Sequence, residues 1–245
     1  MIFQKKILFF RSLRVLYQNE DLEKIADKNK YDYITVISYR DLGLEKQGFS
    51  LAHKKIANIH LSGDMESILN GFARRTRQEI QKTYTIPELE FKIDDQNLAE
   101  TYKLYREFES AQGRKPWKAD TFNSGVKLFN AYYKGELIAS VPCYDIFPNL
   151  QARAIFSKRL SVEDPELYKI IGYATRRLIY EICAYGKERG YNFFGLGPVV
   201  FSTPQKANVA QFKMFFGGKI EDEYTYTYIS KRFAFLRKLR AALKL

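Results

Sequence analysis

The stretch ANVAQFKMFFGGKIEDEYTYTYI, residues 207–229, reads as a helix that stops at Gly217 and Gly218 and then as a strand whose residues alternate between two faces. Val209, Phe212 and Phe216 recur at intervals of three and four, the spacing of one helix face. Lys213 stands at the border of that stripe. Spacing alone allows a lysine on a solvated face as readily as one turned inward, so the job of Lys213 is the question that the rest of the sequence has to answer.

Working back from this stretch, a regular alternation of elements appears. The segment YNFFGLG (191–197) has the look of a short buried strand, and before it IIGYATRRLIYEICAYGKERG (170–190) predicts a long helix, entered after Asp164 and Pro165 and closed by Gly190. QARAIFSKRLSV (151–162) reads as a strand. NAYYKGELIASVPCYDIF (130–147) reads as a hairpin turning at Lys134, Gly135 and Glu136. Further back, LEFKI (89–93) is a strand and NLAETYKLYREFESAQG (97–113) a helix, with ADTFNSGVKLF (119–129) expected as a second, shorter helix. SGDMESILNGFARRTRQEIQKTY (62–84) is expected as one helix capped by Ser62 or Asp64. KKILFF, YDYITVISY and IANIHL, all within residues 1–61, are rich in β-branched and aromatic residues and read as short strands.

These elements predict an α/β chain with a mixed sheet, carried by an N-terminal β-rich annex (1–61), a main domain (62–230) and a C-terminal helix (231–245). That last segment, KRFAFLRKLRAALKL, holds six basic residues and no acid, with Phe233, Leu236, Leu239 and Leu243 at helical spacing. Such a basic amphipathic helix suits either packing on its own domain or an anionic inner membrane face.

Composition narrows the partners. A formal charge of +12, from 40 Lys and Arg against 28 Asp and Glu, favours nucleic acid, phosphate-bearing ligands or a membrane surface. Cys143 and Cys183 offer neither a disulfide framework nor metal-ligand spacing and read as small core residues of a cytoplasmic protein. No metal is expected, with two cysteines and two histidines at unrelated spacings. No apolar run is long enough to span a bilayer.

A strand, a helix and a parallel strand set beside antiparallel strands form a crossover unit. The two parallel strands are expected to part after Val162 and open a cleft, with the start of the following helix aimed at an anion. At that start stands KIIGYA, Lys169 to Ala174, where Gly172 and Ala174 permit close approach and Lys169 adds charge. The same small residues would also suit plain packing on the sheet.

The element order, KIIGYA before a long helix and NVAQFKMFFGGKI before a final strand resemble the GNAT acyltransferase superfamily. ARRTRQEIQKTY, YGKERGYNFFGLG and AQFKMFFGG resemble its FemAB branch, the aminoacyl or acyl transferases related to peptidoglycan bridge formation, over roughly residues 57–230. The resemblance implies a GNAT-like acyl-CoA N-acyltransferase fold. It implies an activity in which an acyl or aminoacyl group passes from a coenzyme A thioester, or from an aminoacyl transfer RNA as partner, to an amine of a cell-envelope precursor, a sugar or an amino acid.

In that resemblance the donor pyrophosphate is held by Lys169, Ile170, Ile171, Gly172, Tyr173 and Ala174, where the family usually begins with Gln or Arg, and by the strand carrying Phe156, Ser157 and Arg159. Ordinary GNAT enzymes tend to have a tyrosine four residues before the glycine matching Gly217. Here that position is Lys213, expected to stabilise developing charge. Asp145, with Tyr144 beside it in VPCYDIF, is the favoured carboxylate for general base catalysis. Arg74, Arg75 and Arg77 with Trp117 and Tyr144 are the expected substrate contacts, although a solvated helix face would account for the arginines and core packing for Trp117. The alternative is a non-catalytic basic module of the same fold that binds RNA or an anionic membrane surface.

Overall fold

The computed structural model of the chain describes residues 1–7, 9–17, 27–122 and 125–242. In chain order its strands are β1 (Ile2–Ile7), β2 (Phe10–Leu16), β3 (Tyr33–Ser38), β4 (Ser50–His60), β5 (Leu89–Asp95), β6 (Val126–Tyr133), β7 (Glu136–Ile146), β8 (Asn149–Ala152), β9 (Phe156–Ser157), β10 (Phe193–Pro198) and β11 (Lys219–Ile229). Its helices are α1 (Met65–Asn70), α2 (Arg74–Thr83), α3 (Leu98–Ala111), α4 (Pro165–Glu188), α5 (Pro204–Met214) and α6 (Lys231–Ala242). The architecture is mixed α/β, as expected.

The chain divides into two units, Met1–Ile56 with Glu221–Leu245, and Ala57–Ile220. The first differs from an annex made of residues 1–61 alone, because β11 and α6 belong to it. β1 and β2 pair antiparallel, β2 and β3 parallel, and β3 and β11 antiparallel, with β4 next to β11. Leu13, Val15, Ile34, Val36 and Tyr226 alternate along these strands into one buried cluster. KKILFF is not a single strand: it covers the end of β1 and the start of β2, with residue 8 outside the described residues. The described part of the C-terminal segment is helical, while Leu243 lies outside it.

In the second unit the end of β4 is followed across the sheet by β10, β8, β7, β6 and β5. β10 and β8 are parallel; the others pair antiparallel along β8, β7, β6 and β5. α4 forms because Asp164 caps it, Pro165 opens it and Gly190 ends it at φ 74°, while Ile171, Ala174, Leu178, Ile179, Ile182 and Cys183 recur along one stripe. That stripe is sealed against Phe129, Ala131, Ile138 and Val141 of the hairpin. Both cysteines are free and buried. A second cluster gathers Leu104 and Tyr105 of α3 with Phe122, Tyr132 and Phe156. Ala131 and Tyr132, adjacent in β6, serve different clusters, as a pleated strand requires.

Three sequence expectations change. Residues 62–84 are two helices, α1 capped by the Asp64 side chain and α2 beginning at Arg74, because Gly71 and Phe72 break the run. Within 119–129 the described residues are a short 3-10 turn over Ala119–Phe122 and, from Val126, the start of β6, whose alternation is satisfied by pairing with β7; residues 123–124 lie outside the described residues. Residues 151–162 do not form one strand, since β8 ends at Ala152 and β9 resumes only at Phe156. The hairpin turn is as read, with Lys134 and Gly135 at φ 53° and 76°, the left-handed pair of a two-residue turn.

The glycine that closes the opening stretch is fixed by sterics. Gly217 has φ 64°, and a Cβ on it would strike the Gly71 carbonyl oxygen between α1 and α2. Gly190 has φ 74° with open space around it. Gly190→Ala is therefore expected to cost only the left-handed penalty of about 1 kcal/mol, and Gly217→Ala about 3 kcal/mol or more. Denaturant midpoints of the two variants check this, and equal losses would show that the Gly71 contact relaxes freely.

Candidate active site

β8 and β10 are hydrogen-bonded over a short register, Phe193 to Asn149, Phe194 to Leu150 and Gly195 to Gln151. Beyond it they part. The chain after Ala152 swings to β7, where Phe156 meets Ser140 and Ser157 meets Ala139, while β10 runs on through Leu196, Gly197 and Pro198. The divergence therefore falls at Gln151 and Gly195, earlier than Val162. It leaves a cleft of ≈ 710 Å³, walled by residues 152–160 and 196–198 and closed by α4 and α5.

Lys213 lines this cleft. It stands in the last turn of α5, where the negative end of the helix dipole favours a cation, and its side chain is turned into the protein. Nζ donates to the Pro198 carbonyl oxygen at 2.7 Å. A Cβ on Gly197, which has φ 83°, would come within 3.6 Å of Nζ, so the glycine leaves room beside the ammonium. Burial lowers the Lys213 pKa from its ordinary 10.5 to about 8. Lys213 thus belongs to the inward of the two readings.

The rest of the cleft is cationic. Arg159 and Arg176 converge on Gly172, where an added Cβ would lie 3.5 Å from each guanidinium. Arg176 donates to the Gly172 carbonyl oxygen at 2.9 Å and pairs with Glu79 at 2.7 Å. Burial pulls the Arg176 pKa down, Glu79 pulls it up and Arg159 pulls it down again. Arg159 lies over the Tyr168 ring at 4.0 Å, and its Nε is buried without a hydrogen-bond partner. Arg153 adds a further charge, stacked 3.6 Å from the Trp117 ring and 5.6 Å from Tyr144. None of the described lining residues is Asp or Glu.

The expected site residues separate accordingly. Lys213, Gly172, Phe156, Ser157 and Arg159 come together in the cleft, and Trp117 and Tyr144 reach it through Arg153. The amides of residues 169–174 do not point at it. α4 begins at Pro165, Tyr168 N already donates to Asp164 O at 2.9 Å, and Asp164 caps Glu166, so KIIGYA lies inside the helix behind a first turn rich in carboxylates. Lys169 faces Glu166 at 3.6 Å, while Ile170, Ile171 and Ala174 pack in the core and the ring of Tyr173 receives Lys82.

Asp145 is elsewhere. Opposite Leu150, at the end of β7 away from the divergence, it accepts from Tyr191 Oη at 2.6 Å with Lys127 at 3.8 Å. Arg74, Arg75 and Arg77 do not line the cleft. Arg75 pairs with Glu79, the carboxylate that also holds Arg176, and Arg77 donates to Asn70. Sequence reading missed Arg176, Glu79 and Arg153. Arg176 stands one helical turn after Gly172, a spacing that places both on one face; Glu79 carries no such local sign.

No family model matches the sequence, and no curated protein matches it. Solved structures do. FemX superposes with TM-score 0.69 at 10% identity, over 100% of this chain and 86% of its own. The chain has a FemX-like fold. The C-terminal domain of an Agrobacterium fabrum protein assigned as a lysylphosphatidylglycerol synthetase gives TM-score 0.58 at 14% identity over 99% and 84%. A conserved protein of unknown function from Bacteroides thetaiotaomicron gives 0.56 at 12% over 92% and 82%. The fold that the FemAB-like motifs lead one to expect is thus present as a likeness to FemX.

The pKa of Lys213 makes a stability prediction. Below about pH 8 the ammonium is charged in both folded and unfolded chains, so the folded state carries the full cost of burying it. Between about 8 and 10.5 the unfolded chain holds a proton that the folded one has released, so stability rises with pH. The difference corresponds to about 3 kcal/mol at most. Lys213→Met should therefore be more stable than the parent at pH 7, with the advantage shrinking as pH approaches 10. Urea melts at the two pH values decide it; an unchanged advantage means that Lys213 is not desolvated.

Proposed function

We propose that the chain is an N-acyltransferase that moves an acyl or aminoacyl group from a phosphate-bearing donor to an amine in the cleft between β8 and β10. The observation that carries this reading is the buried Lys213 ammonium at the point where two parallel strands part, in a cleft lined by Arg153, Arg159 and Arg176 without a carboxylate. Support for an anionic donor comes from the guanidinium pair at Gly172 and from the unpartnered Arg159 Nε. A coenzyme A thioester and an aminoacyl transfer RNA share that phosphate chemistry.

In this reading the acceptor amine attacks the donor carbonyl and the C–N bond forms as the carbonyl π electrons move to oxygen. Collapse expels the thiolate, or the ribose oxygen of a transfer RNA. The proton lost by the amine ends on the leaving group, through water or Lys213. The ammonium has three N–H donors and spends one on Pro198 O, leaving others for the oxyanion or the leaving group. Arg159 and Arg176 position the donor phosphates, with Glu79 fixing Arg176. Direct transfer is favoured, because the lining hydroxyls, of Ser157, Tyr168 and Thr175, have no carboxylate or histidine beside them among the described lining residues.

The acceptor class, an amine of a cell-envelope precursor, sugar or amino acid, rests on the family resemblance alone. The two free, buried thiols are what supports a cytoplasmic setting. Among the described residues no helix is long and apolar enough to cross a membrane. A built cleft with a desolvated lysine is more than a purely RNA-binding module requires.

Calorimetric titration with acetyl coenzyme A and with aminoacyl transfer RNA, followed by transfer assays with the donor that binds, tests the reading. Lys213→Met is expected to lower kcat at least tenfold, and Arg176→Met to act mainly on the donor KM. Because the protonated amine is the working form, kcat/KM of the parent should decline above about pH 8. Binding of neither donor, or full turnover by Lys213→Met, overturns the proposal.

A further inference from the structure

The first unit carries a surface that the transferase reading does not use. α6 is fastened at its beginning: Arg232 bonds to the buried Asp32 carboxylate, and the Phe233 ring packs on Phe10 at 5.2 Å and on Tyr33 at 6.0 Å. Phe10 is the first residue of β2, so the helix starts beside the tip of the β1–β2 hairpin, where Ile7 pairs with Phe10. From there on, α6 shows large apolar side chains to solvent. Phe235 is 66% exposed and Leu239, one turn later, 45% exposed, with Leu236 beside them. At the hairpin tip Phe9 is 84% exposed.

The same two segments carry exposed basic side chains. Lys5, Lys6 and Arg11 on the hairpin and Lys231, Arg237 and Lys238 on the helix are all exposed. Residues 1–17 contain four basic residues and no acid, and residues 231–245 six and none. Asp32, the carboxylate that Arg232 bonds at the start of the helix, is buried.

We propose that this face, the β1–β2 tip together with α6, docks on an anionic lipid bilayer. Charge complementarity selects an anionic partner, and the apolar side chains select which one. Leucines gain nothing from a phosphate backbone or a base edge, whereas a bilayer offers head-group charge for the lysines and an acyl boundary for Phe9, Phe235, Leu236 and Leu239 in the same plane. Docking through a surface in this unit stands whether or not the cleft catalyses acyl transfer.

The test is flotation of the full chain with vesicles of phosphatidylcholine alone and of phosphatidylcholine mixed with phosphatidylglycerol, at low and high salt. Binding is expected only to the mixed vesicles and should weaken as salt rises. Each basic residue near an anionic surface contributes roughly fivefold, so K6E/K231E/K238E should lose about 100-fold in vesicle affinity. F9S/F235S/L239S should lose at least about tenfold, with an unaltered circular dichroism spectrum in both variants. F235W supplies a second reading, a blue-shifted emission on mixed vesicles only. Equal binding to neutral vesicles, no emission shift, loss in neither variant, or RNA binding without vesicle binding overturns the inference.

Discussion

A single ammonium group kept out of water sets the terms for the second unit. An unpaired buried lysine is costly, and here one carbonyl, that of Pro198, is the polar partner that holds it. That carbonyl is available because β10 has left β8 by the time it reaches Pro198. Had the two strands stayed paired beyond Gly195, their carbonyls and amides would satisfy each other and Lys213 would have nowhere to point. The parting of the strands, the cleft and the lowered pKa of the lysine are thus one feature seen three ways.

Charge in the cleft is balanced from behind. Glu79, on α2 and nearly buried, is the partner of both Arg75 and Arg176, so the carboxylate that steadies the cleft faces it through a guanidinium instead of lining it. A ligand entering the cleft meets arginine and lysine without meeting their counter-charge. The two helices that supply these residues, α2 and α4, come from segments far apart in the chain, and only their packing brings Glu79 to Arg176.

This is why some of the site could be read from the sequence and some could not. The helix pattern of Val209, Phe212 and Phe216 put Lys213 at the border of an apolar stripe, but its place in the site was legible only through the family resemblance, because a border position suits solvent and core alike. Gly172 was legible as a small residue in KIIGYA, and Arg159 only through the family resemblance. The start of α4 was displaced because KIIGYA looks like a helix opening, yet Asp164 and Pro165 cap it one turn earlier, and capping is a stronger signal than small residues. Asp145 is a carboxylate within a well-read strand, but its position opposite Leu150 puts it on the paired side of the divergence, where Tyr191 holds it, and that depends on a register the sequence does not display. Residues 119–129 show strand pairing prevailing over a helical-looking spacing, since β6 finds partners on both sides.

The first unit follows the same logic with different materials. β11 follows the Gly217–Gly218 turn, and its alternation is met by β3, from Tyr224 opposite Ser38 to Ile229 opposite Tyr33. On one face it bears Glu223, which receives the Tyr17 hydroxyl, and on the other Tyr226, which donates to Asp41 and accepts from Leu42 N at 2.8 Å. Glu223 and Tyr226 are thus each held by a residue near the other end of the sequence, while the buried Thr225 hydroxyl has no partner among the described residues. The N-terminal segment cannot complete these bonds without β11, and β11 cannot lie still without it. A chain whose first and last segments are bound in this way must fold its second unit as an insertion between them, which explains why the middle of the sequence, and not its ends, carries the crossover motif.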